Sequence, residues 1–226
     1  MYKYETHIHT SNCSACAISS GYEIVDAAVK KGYSGFFITN HFYHGNTSID
    51  RNLDWESFIS AYRADYELTK NYGEKMGIQV FFGLEEGFAA GKEMLIYGVA
   101  PEVFVKNPEF IMLGAKEKAD FVRDNGGITV CAHPFRSRSY IPNPNKKPDP
   151  SIFDGIEAYN QGNLPEENQK AFDFATENGL FTTSGGDIHR KNDFGFAGIE
   201  FTKKLKNDRD FIKKLKSGDY KLIMNK

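Results

Sequence analysis

Apolar and polar positions follow two rhythms along this chain. Residues 3–9, KYETHIH, keep a period of two, so neighbouring side chains point to opposite faces of a strand and His7 and His9 share one face. Ile24, Val25, Ala28 and Val29 have helical spacing, which predicts a helix over 22–31 stopped by Gly32. Short apolar runs predict buried strands at 35–39, 78–82, 94–99, 128–132, 153–159, 180–184 and 197–202. Phe58, Ile59, Tyr62, Tyr66 and Leu68 line one face of a long helix expected over 53–76, with Asp54 as its N-cap. Further helices are expected over 108–125, 165–178 and 208–216. The proline-rich segment after His133 reads as a loop, and the tail 219–226 carries little pattern.

Strands alternating with helices argue for an α/β protein with parallel strands. Residues of metal-ligand type follow nearly every strand, which favours a closed barrel over an open sheet, because a barrel brings its strand ends to one rim. No linker, internal repeat or low-complexity segment is visible, so residues 1–226 read as one domain. The net charge of −2 gives no overall basic field and makes nucleic acid the less favoured partner. No apolar run approaches the ~20 residues of a membrane span, and the N-terminus lacks a basic segment followed by an apolar one. A cytoplasmic protein with no membrane partner is the expectation. The composition does not set an oligomeric state.

The chemistry lies in the histidines. Of the six, His7, His9, His41, His133 and His189 stand directly at strand ends and His44 just beyond one. Glu85 and Asp187 occupy equivalent positions, with Glu86 competing with Glu85, and Asp187 and His189 repeat the spacing of His7 and His9. Imidazole and carboxylate together suit Zn, Mn or Fe, and more than four such groups on one rim imply at least two ions. Arg136 and Arg138, in the loop after His133, are positioned to bind the rest of a substrate, as is His44. Cys13 and Cys16 form a C-x-x-C that reads as a soft metal ligand, a redox pair or two small loop residues, and Cys131 as core.

In order, the motifs H-x-H (His7, His9), I-T-N-H (ending at His41), G-L-E (ending at Glu85), A-H-P (His133) and G-D-I-H (Asp187, His189) resemble the PHP family, the polymerase and histidinol phosphatase family. The resemblance spans His7 to His189. It implies a distorted seven-stranded (β/α)7 TIM-like barrel and a two- or three-ion site that hydrolyses a phosphoester of a small molecule through a metal-activated water. Carried over, His7, His9, Glu85 and Asp187 would hold one ion, Glu85 would bridge to a second with His133, and His41 and His189 would hold a third. His189 and Asp187 would serve catalysis. Three positions depart from the family pattern. Asn40 stands where an Asp is usual, Glu93 is the nearest candidate where a His is usual, and 12–16 (NCSAC) lacks the usual Asp or His, leaving water, phosphate or a Cys13 thiolate to complete the third shell. Two other readings compete: a metallohydrolase of C–N bonds resembling the amidohydrolases, and a metal-binding regulatory module without activity.

Overall fold

A computed structural model describes residues 1–89, 91–144 and 146–225; residue 90, one residue of the proline-rich loop and the last residue lie outside them. The strands are β1 (Tyr2–Glu5), β2 (Gly35–Ile38), β3 (Gln79–Ala89), β4 (Lys92–Tyr97), β5 (Ile128–Cys131), β6 (Gly155–Asn160), β7 (Phe181–Gly185), β8 (Ala197–Phe201) and β9 (Lys221–Met224). The helices are α1 (Gly21–Lys30), α2 (Trp55–Lys75), α3 (Pro101–Lys106), α4 (Ala115–Asp124), α5 (Pro165–Glu177) and α6 (Asp208–Ser217). Local chemistry explains the boundaries. Ser20 and Glu23 form a capping box on α1, Asp54 accepts from the Ser57 amide at the start of α2, and Gly218 ends α6 at φ +72°.

One sheet of nine strands runs in the order β7-β6-β5-β4-β3-β2-β1-β8-β9 and curls into a nearly closed barrel. Two expectations change here. The strands are not all parallel: β4 is antiparallel to both β3 and β5, β8 to β1, and β9 to β8. The sheet also has nine strands where the family resemblance implied seven: each of the eight patterned stretches forms one, and the weakly patterned tail adds β9. The antiparallel step follows from the turn. β3 runs to Ala89, well past the expected end at 82, and the short turn to β4, with Gly91 at φ +67°, leaves no room for a crossover helix. The helix expected over 108–125 is a 3-10 turn, Pro108–Met112, followed by α4.

Closure is split along the height of the barrel. At the lower end the antiparallel pair β8 and β9, joined through α6, sits beside β1, and Ser184 of β7 hydrogen-bonds to Ile223 and Gly198. At the upper end β1 and β7 meet directly. Ile8 bridges Ile188 in parallel, the His9 amide donates to the Ile188 carbonyl, the Ile188 amide to the His7 carbonyl, and the Gly186 amide to Glu5 Oε1 (2.7 Å).

The lower interior is apolar. Tyr4, Phe37, Phe81, Leu95, Tyr97, Val130 and Phe201 face inward, and α6 caps them with Phe211, Ile212 and Leu215. Outside, α2 to α5 cover Phe82, Leu84, Met94, Ile96 and Ile156, and α1 covers Phe36, Ile38 and Val80. Each fully buried side chain of this kind contributes ~1.5–3 kcal/mol. The inward face changes character going up: on β3 it passes from Phe81 through Gly83 to Glu85, and the upper interior is lined by buried Glu5, His7, Glu85 and Glu157. No helix among the described residues is long and apolar enough to cross a membrane.

Candidate metal centre

His7 and His9 leave the end of β1 on one face, with their Nε2 atoms 3.1 Å apart. Hydrogen bonds behind each ring determine which nitrogen is free. His7 Nδ1 donates to Glu157 Oε1 (2.8 Å), and a carboxylate only accepts, so Nε2 turns to the barrel axis with a bare lone pair. Behind His9 the logic is longer. The Thr10 amide donates to Asn40 Oδ1 (2.7 Å), which orients the amide group of Asn40. Ser14 Oγ then donates to that same oxygen (2.9 Å) and accepts from the His41 amide (3.0 Å). Its remaining acceptor capacity faces His9 Nδ1 at 3.1 Å, so His9 too presents Nε2. Asn40 thus serves as an organiser of the first loop. The carboxylate in this region comes from α2 instead: Asp65 binds Thr10 Oγ1, Asn40 Nδ2 (3.2 Å) and Asn12 Nδ2 (2.8 Å).

Glu85 stands at the centre. Its Oε1 lies 3.3 Å from His7 Nε2 and 3.2 Å from His133 Nε2, and its Oε2 lies 3.4 Å from His9 Nε2 and 2.9 Å from His41 Nδ1. Asp187 Oδ1 is 3.2 Å from His9 Nε2 and 3.5 Å from His7 Nε2. Glu93 approaches from β4, 3.3 Å from His41 Nδ1 and 3.6 Å from His133 Nε2. His189 Nδ1 donates to the Asp187 carbonyl (2.7 Å), and its Nε2 is 3.0 Å from Cys16 Sγ. The structure therefore brings together all eight residues expected as ligands. It gathers them as four overlapping groups: His7, His9 and Glu85; His7, His133 and Asp187; His41, Glu85 and Glu93; and His9, His41 and His189.

The backbone is strained where it delivers two of them. His133 at φ +28° and Asp187 at φ +52° are the described non-glycine residues with positive φ. Such conformations cost of order 1–3 kcal/mol each and persist only where the surroundings enforce them. For His133 the enforcing contact is its amide donating to Glu157 Oε2 (3.0 Å). Gly185, just before the Asp187 turn, passes so close that a Cβ there would lie 2.2 Å from Glu157 Oε1 and 2.6 Å from His7 Cβ.

Electrostatics favour a cation on the axis. Burial alone would lower His7, but Glu157, Asp187 and Glu85 raise it well above the usual imidazole range, so Nε2 presents its lone pair to a cation and otherwise takes a proton. Burial would raise Glu85 and Asp187, yet both lie well below the usual carboxylate range, Glu85 because of His7 and His41 and Asp187 because of His7 and Arg136. His9 is pushed down to about 3 by burial and the neighbouring His41. Burial raises Cys16, but hydrogen bonds with His189 and His41 bring its thiol down to about 6.

The residues fit divalent ions. Among the described residues, His41 Nδ1 and Glu85 Oε2 are buried without a properly directed hydrogen bond although they face each other at 2.9 Å. Buried polar atoms normally have partners, and a cation between them would satisfy both.

The remaining expected site residues separate. Arg136 reaches the pocket, but Asp187 Oδ2 (2.7 Å), Asn160 Oδ1 (2.7 Å) and Asn163 Oδ1 (2.9 Å) already hold its guanidinium. Arg138 turns away to Glu167 (3.2 Å) and the Gly162 carbonyl (2.6 Å). His44 leaves the rim altogether: its Nδ1 meets Glu86 Oε1 at 2.6 Å on the outer face of β3. Cys13 is fully buried, its Sγ 3.6 Å from the Tyr62 carbonyl oxygen, and it is Cys16 that reaches the ligands. Two residues carry weight that the pattern did not announce. Glu157 was hidden inside an apolar strand, where a lone acid in GIEAYN was the available signal, and Ser14 was indistinguishable from other small loop residues.

A pocket of about 400 Å3 opens above the cluster, lined by His41, Glu93, Arg136 and His189 together with Cys16 and Tyr140.

No family model matches the chain, and no curated protein matches it. Solved structures do. A two-domain protein from Bacteroides vulgatus containing a PHP-like metal-dependent phosphoesterase is similar over 99% of this chain at 15% identity and TM-score 0.74, and the chain spans 65% of that protein. A metal-dependent phosphoesterase from Bifidobacterium adolescentis is similar over 93% of this chain and 94% of its own, at 16% identity and TM-score 0.58. The lesion-specific endonuclease Q of Pyrococcus furiosus is similar over 98% of this chain and 57% of its own, at 12% identity and TM-score 0.60. The shared feature is the fold.

Proposed function

We propose that this chain of PHP-like fold is a metal-dependent phosphoesterase that hydrolyses a small-molecule phosphomonoester or phosphodiester. The observation that carries the reading is the pair of unpartnered buried atoms, His41 Nδ1 and Glu85 Oε2, inside a cluster of eight nitrogen and oxygen ligands. Two or three divalent ions (Zn, Mn or Fe) held there would draw charge off a phosphoryl group and lower the pKa of a water.

The chain's own residues then have distinct tasks. Glu85 directs its two oxygens to different groups of ligands, Oε1 to His7 and His133 and Oε2 to His9 and His41, which suits it to bridge. Asp187 is oriented by Arg136, so one oxygen faces the histidines and the other is held back. Arg136 uses three N–H groups on Asp187, Asn160 and Asn163, and we assign its remaining N–H groups to a phosphoryl oxygen. His189 stands on the more open side of the cluster, where a leaving group would depart. Arg138, held by Glu167 and the Gly162 carbonyl, and His44, held by Glu86, stand away from the substrate.

The pocket volume supports a small-molecule substrate, since about 400 Å3 lies within the range of small-ligand sites. Nucleic acid is the second reading, because endonuclease Q has been solved with a duplex carrying an abasic lesion at its active site. A net charge of −2 weighs against it here. The test is phosphate release from a panel of phosphomonoesters and phosphodiesters with Mn, Zn or Fe, beside an abasic duplex and an amide panel. We expect release that a chelator abolishes and metal restores, with at least two ions per chain by elemental analysis. Cleavage of amides alone, or of none of the panel at full metal loading, overturns the proposal.

A further inference from the structure

We infer that Cys16 is a metal ligand: its thiolate completes, with His41 and His189, a sulfur-containing ion site on the outer edge of the cluster. The inference rests on the metal-dependent reading above and adds a ligand that the motifs did not supply. Cys16 Sγ lies 3.0 Å from His189 Nε2, the nitrogen left bare because Nδ1 donates to the Asp187 carbonyl. Both groups line the pocket with His41. The second observation is His41, nine-tenths buried, whose ring hydrogen-bonds to Cys16 while its Nδ1 faces Glu85 Oε2 at 2.9 Å without a directed bond. His9, His41 and His189 bring ligand nitrogens within 4.8 Å of one another without any carboxylate in the group. Glu85 and Asp187 also serve the other ligand groups, and a thiolate gives this imidazole group an anion of its own.

The loop is built to deliver this sulfur. The Ile18 and Ser19 amides both donate to the His189 carbonyl, and the Ala15 amide donates to the Asn46 carbonyl, so the backbone on each side of Cys16 is pinned. Cys13, three residues earlier, points the other way and is sealed in the core, which excludes a C-x-x-C redox pair in this conformation. The consequence is a division of labour. The oxygen-rich groups around Glu85, Glu93 and Asp187 suit Mn, Fe or Zn, whereas the sulfur-containing site selects the softer ion, Zn.

The test uses the full chain loaded with Co(II), whose bond to a thiolate gives a near-ultraviolet charge-transfer band. We expect the band in the parent and in Cys13→Ala, and its loss in Cys16→Ser with about one ion fewer per chain. Cys16→Asp should restore the ion without the band, and circular dichroism confirms that each variant is folded. A parent protein that binds cobalt without the band, or Cys16→Ser that keeps it, overturns the inference. Phosphoester hydrolysis by such a band-free parent would leave the function standing, and a thiolate band in a protein without hydrolysis would do the reverse.

Discussion

Glu85 and Glu86 are consecutive, both buried, and on the same strand, yet they belong to different kinds of site. Strand alternation sends Glu85 into the barrel and Glu86 out. Glu86 is satisfied by protein alone: Lys118 Nζ, His44 Nδ1 (2.6 Å) and the His44 amide (3.1 Å) surround it, and Lys118 also lies over the Phe110 ring. Glu85 faces four imidazole nitrogens, and one of its oxygens has no directed hydrogen bond. Burial and charge do not distinguish a structural ion pair from a reactive centre. The distinction lies in whether the surrounding donors close the shell or leave it open.

The largest expected effect is on the open side. Glu85→Gln keeps the shape but removes the anion shared by both ligand groups. Hydrolysis should fall roughly 10^3-fold, equivalent to about 4 kcal/mol of lost charge stabilisation, with at least one ion lost per chain. Equal losses from Glu85→Gln and Glu86→Gln in activity per folded molecule would erase the contrast. Next is Glu157→Gln, which should weaken metal affinity by roughly 10–100-fold, as is usual for groups that orient a ligand histidine. Isothermal titration with Zn reads this, and an unchanged affinity would show that His7 and His133 hold their orientation without it. On the closed side, Glu86→Gln leaves Lys118 buried without its anion and should cost roughly 3 kcal/mol of stability in a denaturant titration while sparing metal content. A loss under about 0.5 kcal/mol would mean that the pair is solvated in solution.

The smallest effect sharpens the rule. Asp208 Oδ1 is likewise buried without a partner, but no histidines surround it, and burial pushes its carboxyl up to about 6. An orphan oxygen ringed by imidazoles is held ionised, whereas burial against a single lysine, Lys70, leaves this one to take a proton below about pH 6. Because the folded value exceeds the ordinary 3.8, the stability it contributes is complete below about pH 4 and is lost as pH rises to about 6. Relative to Asp208→Asn, the parent should therefore lose roughly 1 kcal/mol across that window after solvent screening. A parent that gains stability over Asp208→Asn as pH rises through that window would reverse the assignment.

What the sequence makes legible follows from how each feature is encoded. The helix from Trp55 and the helix over Pro165–Glu177 are written in periodicity and caps, and their ends fall within two residues of expectation. Seven of the eight clustered residues were legible because barrel strands deliver their ends to one rim, whereas Glu93, near the start of β4, came from the family resemblance alone. Strand direction was not legible in MLIYGV, since an apolar run looks the same either way, but the short turn before it excluded a crossover. Spacing left the roles of Cys13 and Cys16 open: only the loop's hydrogen bonds decide which sulfur faces the histidines. Arg138 and His44 carry suitable chemistry in the right stretch of chain, but Glu167 and Glu86 capture them, and such partners are visible only in three dimensions.

The upper seam between β1 and β7 has a consequence for how the protein comes into being. Glu5 and Gly186, which hydrogen-bond across it, are 181 residues apart in the chain. During synthesis, His7 and His9 emerge long before Asp187 and His189 exist to meet them, so the centre cannot form until synthesis has passed His189. Pairings of such separation are slow to form, because loop closure must be completed before the contact is made. Metal binding is then a late event in folding, and an ion bound early by the first two histidines alone would sit in a half-built and weaker site.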